Sequence, residues 1–356
     1  GHVYWQHPSY SIDPKTKRRT FSIKNTPMVN EPSNSTVVQL SRSAVAGKPY
    51  TVSETNHPFP NEYACEGIAI LAAYSAFQDW DGIFLYTFEH KDPGEWKASQ
   101  PGHFEIRPDP VRMTNLAAGA LMFLRGDVRS ALTTIPRSYS IEQVREGIRS
   151  PYSEGPYFTR GFSPSNPLRH ATRIIGFDQE SGEYPKVTQD SPVVSDTNEL
   201  AWYYSAQTKG LVIVETERTQ ALIGFVKDNN KVLKNLSATV ENEFCSIVLT
   251  SLDGQPISSS QRLLLVATAR SANTGMTWNE KRTSLSDWGA APTVIEPVTG
   301  KIVLRGLEPL QRIEAIPLDG AGKATGNPVG AQGVRADYVL QIGQPATVWY
   351  LVRIQR

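Results

Sequence analysis

Cysteine is nearly absent from this chain of 356 residues, which carries only Cys65 and Cys245. Two thiols placed in different regions argue against a disulfide framework and against a cysteine-based metal site, and both read as buried free thiols. An excess of charge of one sign is missing too. With 36 Lys and Arg against 35 Asp and Glu, the chain has no electrostatic reason to take nucleic acid or an anionic membrane as its main partner. No apolar run reaches the ~18 residues a membrane span needs. There is no His-Glu-x-x-His helix, no Gly-x-Ser-x-Gly elbow and no phosphate-cradling glycine loop, so metal hydrolysis and acyl transfer through serine lack support. No metal and no cofactor is implied. The chain opens on Gly1-His2-Val3-Tyr4-Trp5 without a leader pattern, which leaves open a removed secretory leader or a piece of a longer protein.

The composition is that of a globular chain, 39% apolar and 20% charged, and the length suggests about two or three domains. The first part alternates strand and helix patterns. His2–Gln6 reads as a strand. Ser35–Ala46 has helical spacing and stops at Gly47. Tyr50–Ser53 is a strand, and Asn61 can cap a helix running to about Trp80, whose many small residues predict close packing on a sheet. Ile83–Phe88 is a near-continuous apolar strand of the kind covered on both faces. Pro110 starts a helix that runs to Leu124 and ends near Gly126.

From about residue 130 Pro, Ser and Gly become frequent, through Pro136, Pro151, Pro156, Pro164 and Pro167. After about 195, short β-rich runs follow one another, including Leu211–Glu215, Ser246–Ser251, Leu263–Ala269, Arg312–Pro317 and Thr347–Ile354. Turns such as Asp253-Gly254 separate them, and this spacing predicts an antiparallel β-sandwich. The organisation expected is a portion over 1–129, a linker and irregular segment over 130–194 packing on the sandwich, and the β-sandwich over 195–356.

Three places could carry chemistry. In His2-Val3-Tyr4-Trp5-Gln6-His7, alternation puts His2 and Tyr4 on one face, able to hydrogen-bond a carboxylate or a sugar hydroxyl. In Tyr50-Thr51-Val52-Ser53-Glu54-Thr55-Asn56-His57, a carboxylate stands at the end of an otherwise apolar strand, at a cost in desolvation that chains usually accept for function. In Trp80-Asp81-Gly82-Ile83-Phe84-Leu85-Tyr86-Thr87-Phe88-Glu89-His90, a strand ends in aromatic and polar residues suited to a stacking platform. Glu89 and His90 are further candidates for direct contact. A solvated strand end, satisfied polar core residues and a solvated turn are the plain structural alternatives for the three.

Taken together, these segments resemble the carboxyl-terminal end of a clan A retaining glycoside hydrolase, similar to the cellulase-type (β/α)8 enzymes. In that family strand 6 ends in His-x-Tyr, matched by His2-Val3-Tyr4. Strand 7 ends in the nucleophile Glu, matched by Glu54, and strand 8 ends in an aromatic, usually Trp, where Tyr86 or Phe88 stands here. The resemblance implies an α/β fold, the last three β-α units of a (β/α)8 barrel, followed by the β-sandwich. It implies cleavage of β-glycosidic bonds in a polysaccharide or oligosaccharide, with Glu54 attacking the anomeric carbon and Tyr4 orienting it. His2 and His57 would position sugar hydroxyls, Trp5, Tyr86 and Phe88 would line the subsite, and His7 and Asn56 would add contacts. The family's acid/base, a Glu after Asn on strand 4, has no counterpart. Asn30-Glu31-Pro32 has the right letters but follows the presumed strand 6, and reads as a loop and helix start. The expected partners are therefore a homo-oligomer or a chain that supplies the missing strands, in a secreted or cell-envelope bacterial protein. The alternative is a non-catalytic carbohydrate-binding or structural protein, with rings such as Trp202 and Tyr204 stacking on sugar.

Overall fold

Residues 1–14, 17, 19–149, 161–178, 182–185, 191–205 and 209–356 are described by the computed structural model; Pro151 and Pro156 lie outside them. The chain begins with β1 (His2–Tyr4), a hairpin of β2 (Ser9–Ile12) and β3 (Arg19–Ser22), and α1 (Thr36–Ser41). Ser35 caps α1, its side chain accepting from the Val38 amide. The helix is shorter than the spacing predicts because the following backbone is claimed elsewhere. Ile174 donates to Ala44 and Ala46 donates to Ile174, at 2.7 and 2.9 Å, so the chain leaves the helix to bridge a later strand.

β4 (Thr51–Asn56), α2 (Gly67–Phe77), β5 (Gly82–Leu85) and α3 (Pro110–Leu124) follow. Asp109 caps α3 by accepting from the Val111 and Arg112 amides, and Pro110 occupies the first turn, where its missing N–H costs nothing. Asn61 does not cap α2: it accepts from the Tyr63 amide in a turn, and a 3-10 turn over Ala64–Glu66 intervenes. β1, β4 and β5 form a parallel sheet in the order β1-β4-β5. His2 pairs with Glu54 and Tyr4 with Asn56. Between β4 and β5 the register runs Val52–Ile83 and then Thr55–Leu85. Ser53 and Glu54 together therefore oppose Phe84, a bulge of the kind that re-aims a side chain.

One face of this sheet packs on helices through Val3, Leu40, Val52, Leu71 and Trp80. α2 is buried nearly all round, as expected of a helix with apolar residues on every side. Its other side, with α3, packs through Ile70, Tyr74, Phe77 and Met122 onto a second sheet at Trp202, Val212, Ile223 and Val266. Gly119 lets α3 approach α2 closely, since a Cβ there would meet Ile68 Cγ2 at 3.2 Å and Ala72 Cβ at 3.3 Å.

That second sheet dominates the molecule. Its strands are β8 (Val193–Val194), β9 (Leu200–Tyr203), β10 (Leu211–Glu215), β11 (Thr219–Gly224), β13 (Cys245–Ser251), β14 (Arg262–Thr274), β17 (Ala290–Pro297), β19 (Arg312–Pro317), β20 (Val329–Gly330) and β23 (Trp349–Gln355), paired antiparallel. Its far face is covered by a four-stranded antiparallel sheet of β12 (Leu236–Val240), β18 (Gly300–Leu304), β21 (Gln332–Val334) and β22 (Asp337–Ile342). Leu211, Ile247, Leu265, Ile302 and Leu340 fill the space between. β15 (Thr277–Trp278) and β16 (Leu285–Asp287) form a separate hairpin. Both cysteines are buried and free.

The stretch over 130–194 holds a parallel pair, β6 (Thr134–Ser138) and β7 (Ala171–Gly176), with α4 (Ile141–Arg149) and α5 (Asn166–Arg169) between them. Arg173 Nη2 donates to the Gln78 carbonyl at 2.6 Å, which ties β7 to the end of α2.

The expected partial (β/α)8 barrel is not formed. Strand takes 36% of the structure and helix 18%, and the dominant sheet is antiparallel. In a barrel the helices make an outer ring around the strands. Here α2 and α3 are instead the filling between a small parallel sheet and a large antiparallel one. Ile83–Phe88 is not a strand covered on both faces either. β5 stops at Leu85, lies at the sheet edge, and leaves Phe84 60% exposed. Among the described residues, the sheet face opposite the helices is largely open, with His2, Thr51, Ser53 and Phe84 exposed on it.

Candidate functional site

On that open face stands Glu54, its side chain 29% exposed. The Tyr4 hydroxyl donates to Oε1, and His2 Nδ1 lies 3.2 Å from Oε2. Both partners come from β1, and parallel pairing puts His2 and Glu54 on one face because cross-strand neighbours share it. Burial and the adjoining Glu54 charge push the Tyr4 phenol well above its ordinary range, so it stays a donor.

The rings that continue from Tyr4 form one group. Phe104 lies 5.1 Å from Tyr4, 5.3 Å from His7 and 5.7 Å from Tyr86, centre to centre. His7 sits edge-on to Tyr4 at 5.2 Å. Tyr86 is half-exposed, its peptide bond to Thr87 is cis, and its hydroxyl meets His90 Nε2 at 2.8 Å. His90 Nδ1 in turn meets Glu105 Oε1 at 2.7 Å. Phe88 is exposed and packs edge-on against Trp96 at 6.0 Å.

Three residues expected to touch substrate do not reach this surface. Trp5 is buried and donates through Nε1 to the Thr26 carbonyl at 2.9 Å. His57 is buried beneath it, stacked at 6.2 Å, with Nε2 at 3.5 Å from Glu66. A side chain on Gly67 would collide with the His57 ring. Glu66 also accepts from the Met28 and Val29 amides, at 2.6 and 3.0 Å. Burial pushes its carboxyl up, against the His57 imidazole and the two amides, which favour its charge. Asn56 is the third. Its amide donates to the Tyr86 and Phe104 carbonyls at 2.6 and 2.7 Å, and its oxygen accepts from Arg112 at 3.1 Å. Its polar atoms are spent on holding the rim. The resemblance made all three look available; packing against other segments made them core.

Glu89 is also occupied. Arg107 donates to it from Nε at 3.0 Å, and two backbone amides do the same. Burial would raise this carboxyl, but Arg107 outweighs that and holds it below its ordinary value. Asn30 accepts from the Gly210 amide at 2.8 Å, so the Asn30-Glu31 turn is part of the scaffold. Trp202 is fully buried and donates to the Val29 carbonyl at 2.8 Å, which removes it as a sugar-stacking ring.

The sequence reading missed Phe104, Glu105 and Arg112. The Phe104 segment is an extension of the sheet: Thr87 donates to the Phe104 carbonyl and Ile106 to that of Thr87, at 3.0 and 2.9 Å. Arg112 is fully buried, paired with Asp109 at 2.7 Å, and also donates to Asn56, His57 and the Glu105 carbonyl. Its only sequence signal was an i,i+3 carboxylate partner at a helix start.

Among the described residues no second carboxylate shares a hydrogen-bonding partner with Glu54, and no group of His, Cys, Asp and Glu has the arrangement of a metal site. Among the described residues no helix is long and apolar enough to cross a membrane. Compared with family models, with curated proteins and with solved structures, the chain matches none.

Proposed function

We propose that this chain provides the nucleophile side of a glycoside-hydrolysing site acting on β-linked polysaccharide or oligosaccharide with retention. The observation that supports it best is Glu54 itself. A carboxylate is turned by a strand bulge onto an open sheet face, its two oxygens face a phenol and an imidazole from β1, and that phenol is packed against Phe104, which in turn meets His7 and Tyr86. Glu54 attacks the anomeric carbon and the bond to the leaving oxygen breaks. Water then cleaves the resulting glycosyl ester. Tyr4 and His2 hold the attacking oxygens in place, and the rings offer apolar faces to the sugar.

Retention needs a second carboxyl group ~5–5.5 Å from the first, and the proposal assigns it to another chain or a second copy seated on the open sheet face. An activated leaving group bypasses that requirement, because a dinitrophenolate departs without a proton. Dinitrophenyl β-cellobioside should therefore place a cellobiosyl adduct on the Glu54 peptide, read by mass spectrometry. Glu54→Gln should give none. Equal release of dinitrophenol by both proteins would remove Glu54 as the nucleophile. That no second carboxylate among the described residues shares a partner with Glu54 favours one other reading, a non-catalytic glycan-binding surface, which predicts binding that survives Glu54→Gln with no adduct in either protein.

A further inference from the structure

The ring group does not end at His7. Tyr10, on the β2–β3 hairpin, lies 6.3 Å from His7 and 5.7 Å from His103. His103 lies 4.5 Å from Phe21 and 5.2 Å from Trp288, which comes from the far half of the chain. Trp288 is fixed there by donating to the Gln100 carbonyl at 2.7 Å. Tyr10, Arg19, Phe21, Gly102, His103 and Trp288 border a hollow of ≈ 310 Å³. A second hollow of ≈ 280 Å³ shares Tyr10 and Arg19 with it and adds Lys17.

Two cations line these hollows, Arg19 in both and Lys17 in the second, and among the described residues no carboxylate lines either. The Arg19 guanidinium lies 4.0 Å over the Tyr10 ring, and among the described residues it has no carboxylate partner. Stacking fixes the plane of the guanidinium and leaves its N–H fork open, the arrangement that suits bidentate recognition of a planar or tetrahedral anion. Glu105, the acid beneath Gly102, is buried and engaged by His90. His103 is half of a hydrogen bond to the Phe59 carbonyl, and burial pushes its imidazole below the ordinary value, so it adds an uncharged ring.

We infer that this hairpin surface is an accessory subsite for an acid-bearing sugar residue, a uronate or a sulfate ester, on a chain whose neighbouring residues lie along His7 and Phe104 toward Glu54. Tyr10 and Trp288 supply apolar faces for the ring, and Arg19 and Lys17 take the acid group. The inference rests on the carbohydrate reading above, and names the substrate class: an acidic glycan.

Calorimetric titration of the intact chain with cellohexaose, with a carboxylate-oxidised cello-oligosaccharide and with a sulfated one tests it without requiring turnover. At least one acidic ligand should bind about tenfold tighter than the neutral one, as expected for one charge-assisted pair; the arm that does so identifies the acid group. Arg19→Gln should reduce that ratio to about one, whereas Tyr10→Ala, which removes the ring Arg19 stacks on, should weaken all ligands and lower the ratio as well. Glu54→Gln should leave the ratio unchanged, so the subsite stands even where the nucleophile assignment fails. Three results overturn the inference: equal binding of neutral and acidic ligands, a preference that survives Arg19→Gln, or single-stranded DNA binding as tightly as the acidic glycan. Arg19 lies on the hairpin surface, and unchanged thermal melts confirm that the variant is folded.

Discussion

The Tyr4 hydroxyl donates to Oε1 of Glu54 from the neighbouring parallel strand. The register that allows this is local to three residues of β1, yet it brings together groups fifty positions apart. Replacing Tyr4 with Phe removes the donor and keeps the ring against Phe104. Adduct formation with the activated cellobioside should slow on the order of 10–100-fold, the loss of one charge-assisted hydrogen bond at the reacting group. Binding of cellohexaose should change little. An adduct rate equal to that of the wild type would show that Tyr4 does not position the carboxylate.

Arg112 should matter most to stability. It is buried with Asp109 and holds the end of β4 and the Glu105 loop to the start of α3. Arg112→Met leaves Asp109 as a buried charge without its partner, at a cost of about 3–5 kcal/mol. Urea unfolding monitored by circular dichroism reads this directly. A loss below about 1 kcal/mol would mean that the Asp109 contacts to the α3 amides and to Ser271 suffice on their own.

Glu62 gives a pH test. Burial alone would raise its carboxyl, but Arg282, Asn25 and Arg270 donate to it and hold it below the ordinary value. A depressed folded-state pKa contributes stability that is present above the unfolded value and is lost as pH falls through the folded one. Wild type should therefore exceed Glu62→Gln by about 1–2 kcal/mol at neutral pH, the exposed guanidinium groups being partly screened. The gap should close as pH drops below the ordinary carboxylate range. A gap that stays constant down to acid pH contradicts the ion-pair account.

Trp202→Ala should be a stability variant and not a binding variant. The ring is buried between α2 and the large sheet, 5.7 Å from Tyr74. Removing it leaves a cavity and an unpaired Val29 carbonyl, at about 3–5 kcal/mol. Cellohexaose affinity measured well below the melting point should match the wild type. A selective loss of affinity without a drop in the unfolding midpoint would restore Trp202 as a sugar-contacting ring.

Much of the local structure could be read from residue order. Asp109-Pro110 and Gly126 bracket α3, and Leu211–Glu215 and Arg312–Pro317 are strands with the expected bounds. Strand alternation showed that His2 and Tyr4 share a face, and Glu54 joined them only through the resemblance; its turn onto their face rests on the bulge at Ser53 and Glu54. The barrel reading failed because β-α alternation specifies a parallel sheet but not its closure. Three strands with helices on one side suit a barrel arc and an open sheet equally well, and what lies against the other side of α2 is decided by Trp202 and Val212, more than a hundred residues away.

The sequence by itself determined several strands and the start of α3, and that His2 and Tyr4 share a face, since those depend on neighbours within a few positions. Only the tertiary structure decided that Trp5, Asn56 and His57 face inward, that Phe104 joins Tyr4 to Tyr86, and that Trp288 joins the hairpin surface. Burial and ring contact are set by packing between distant segments, and periodicity carries no record of which segment arrives.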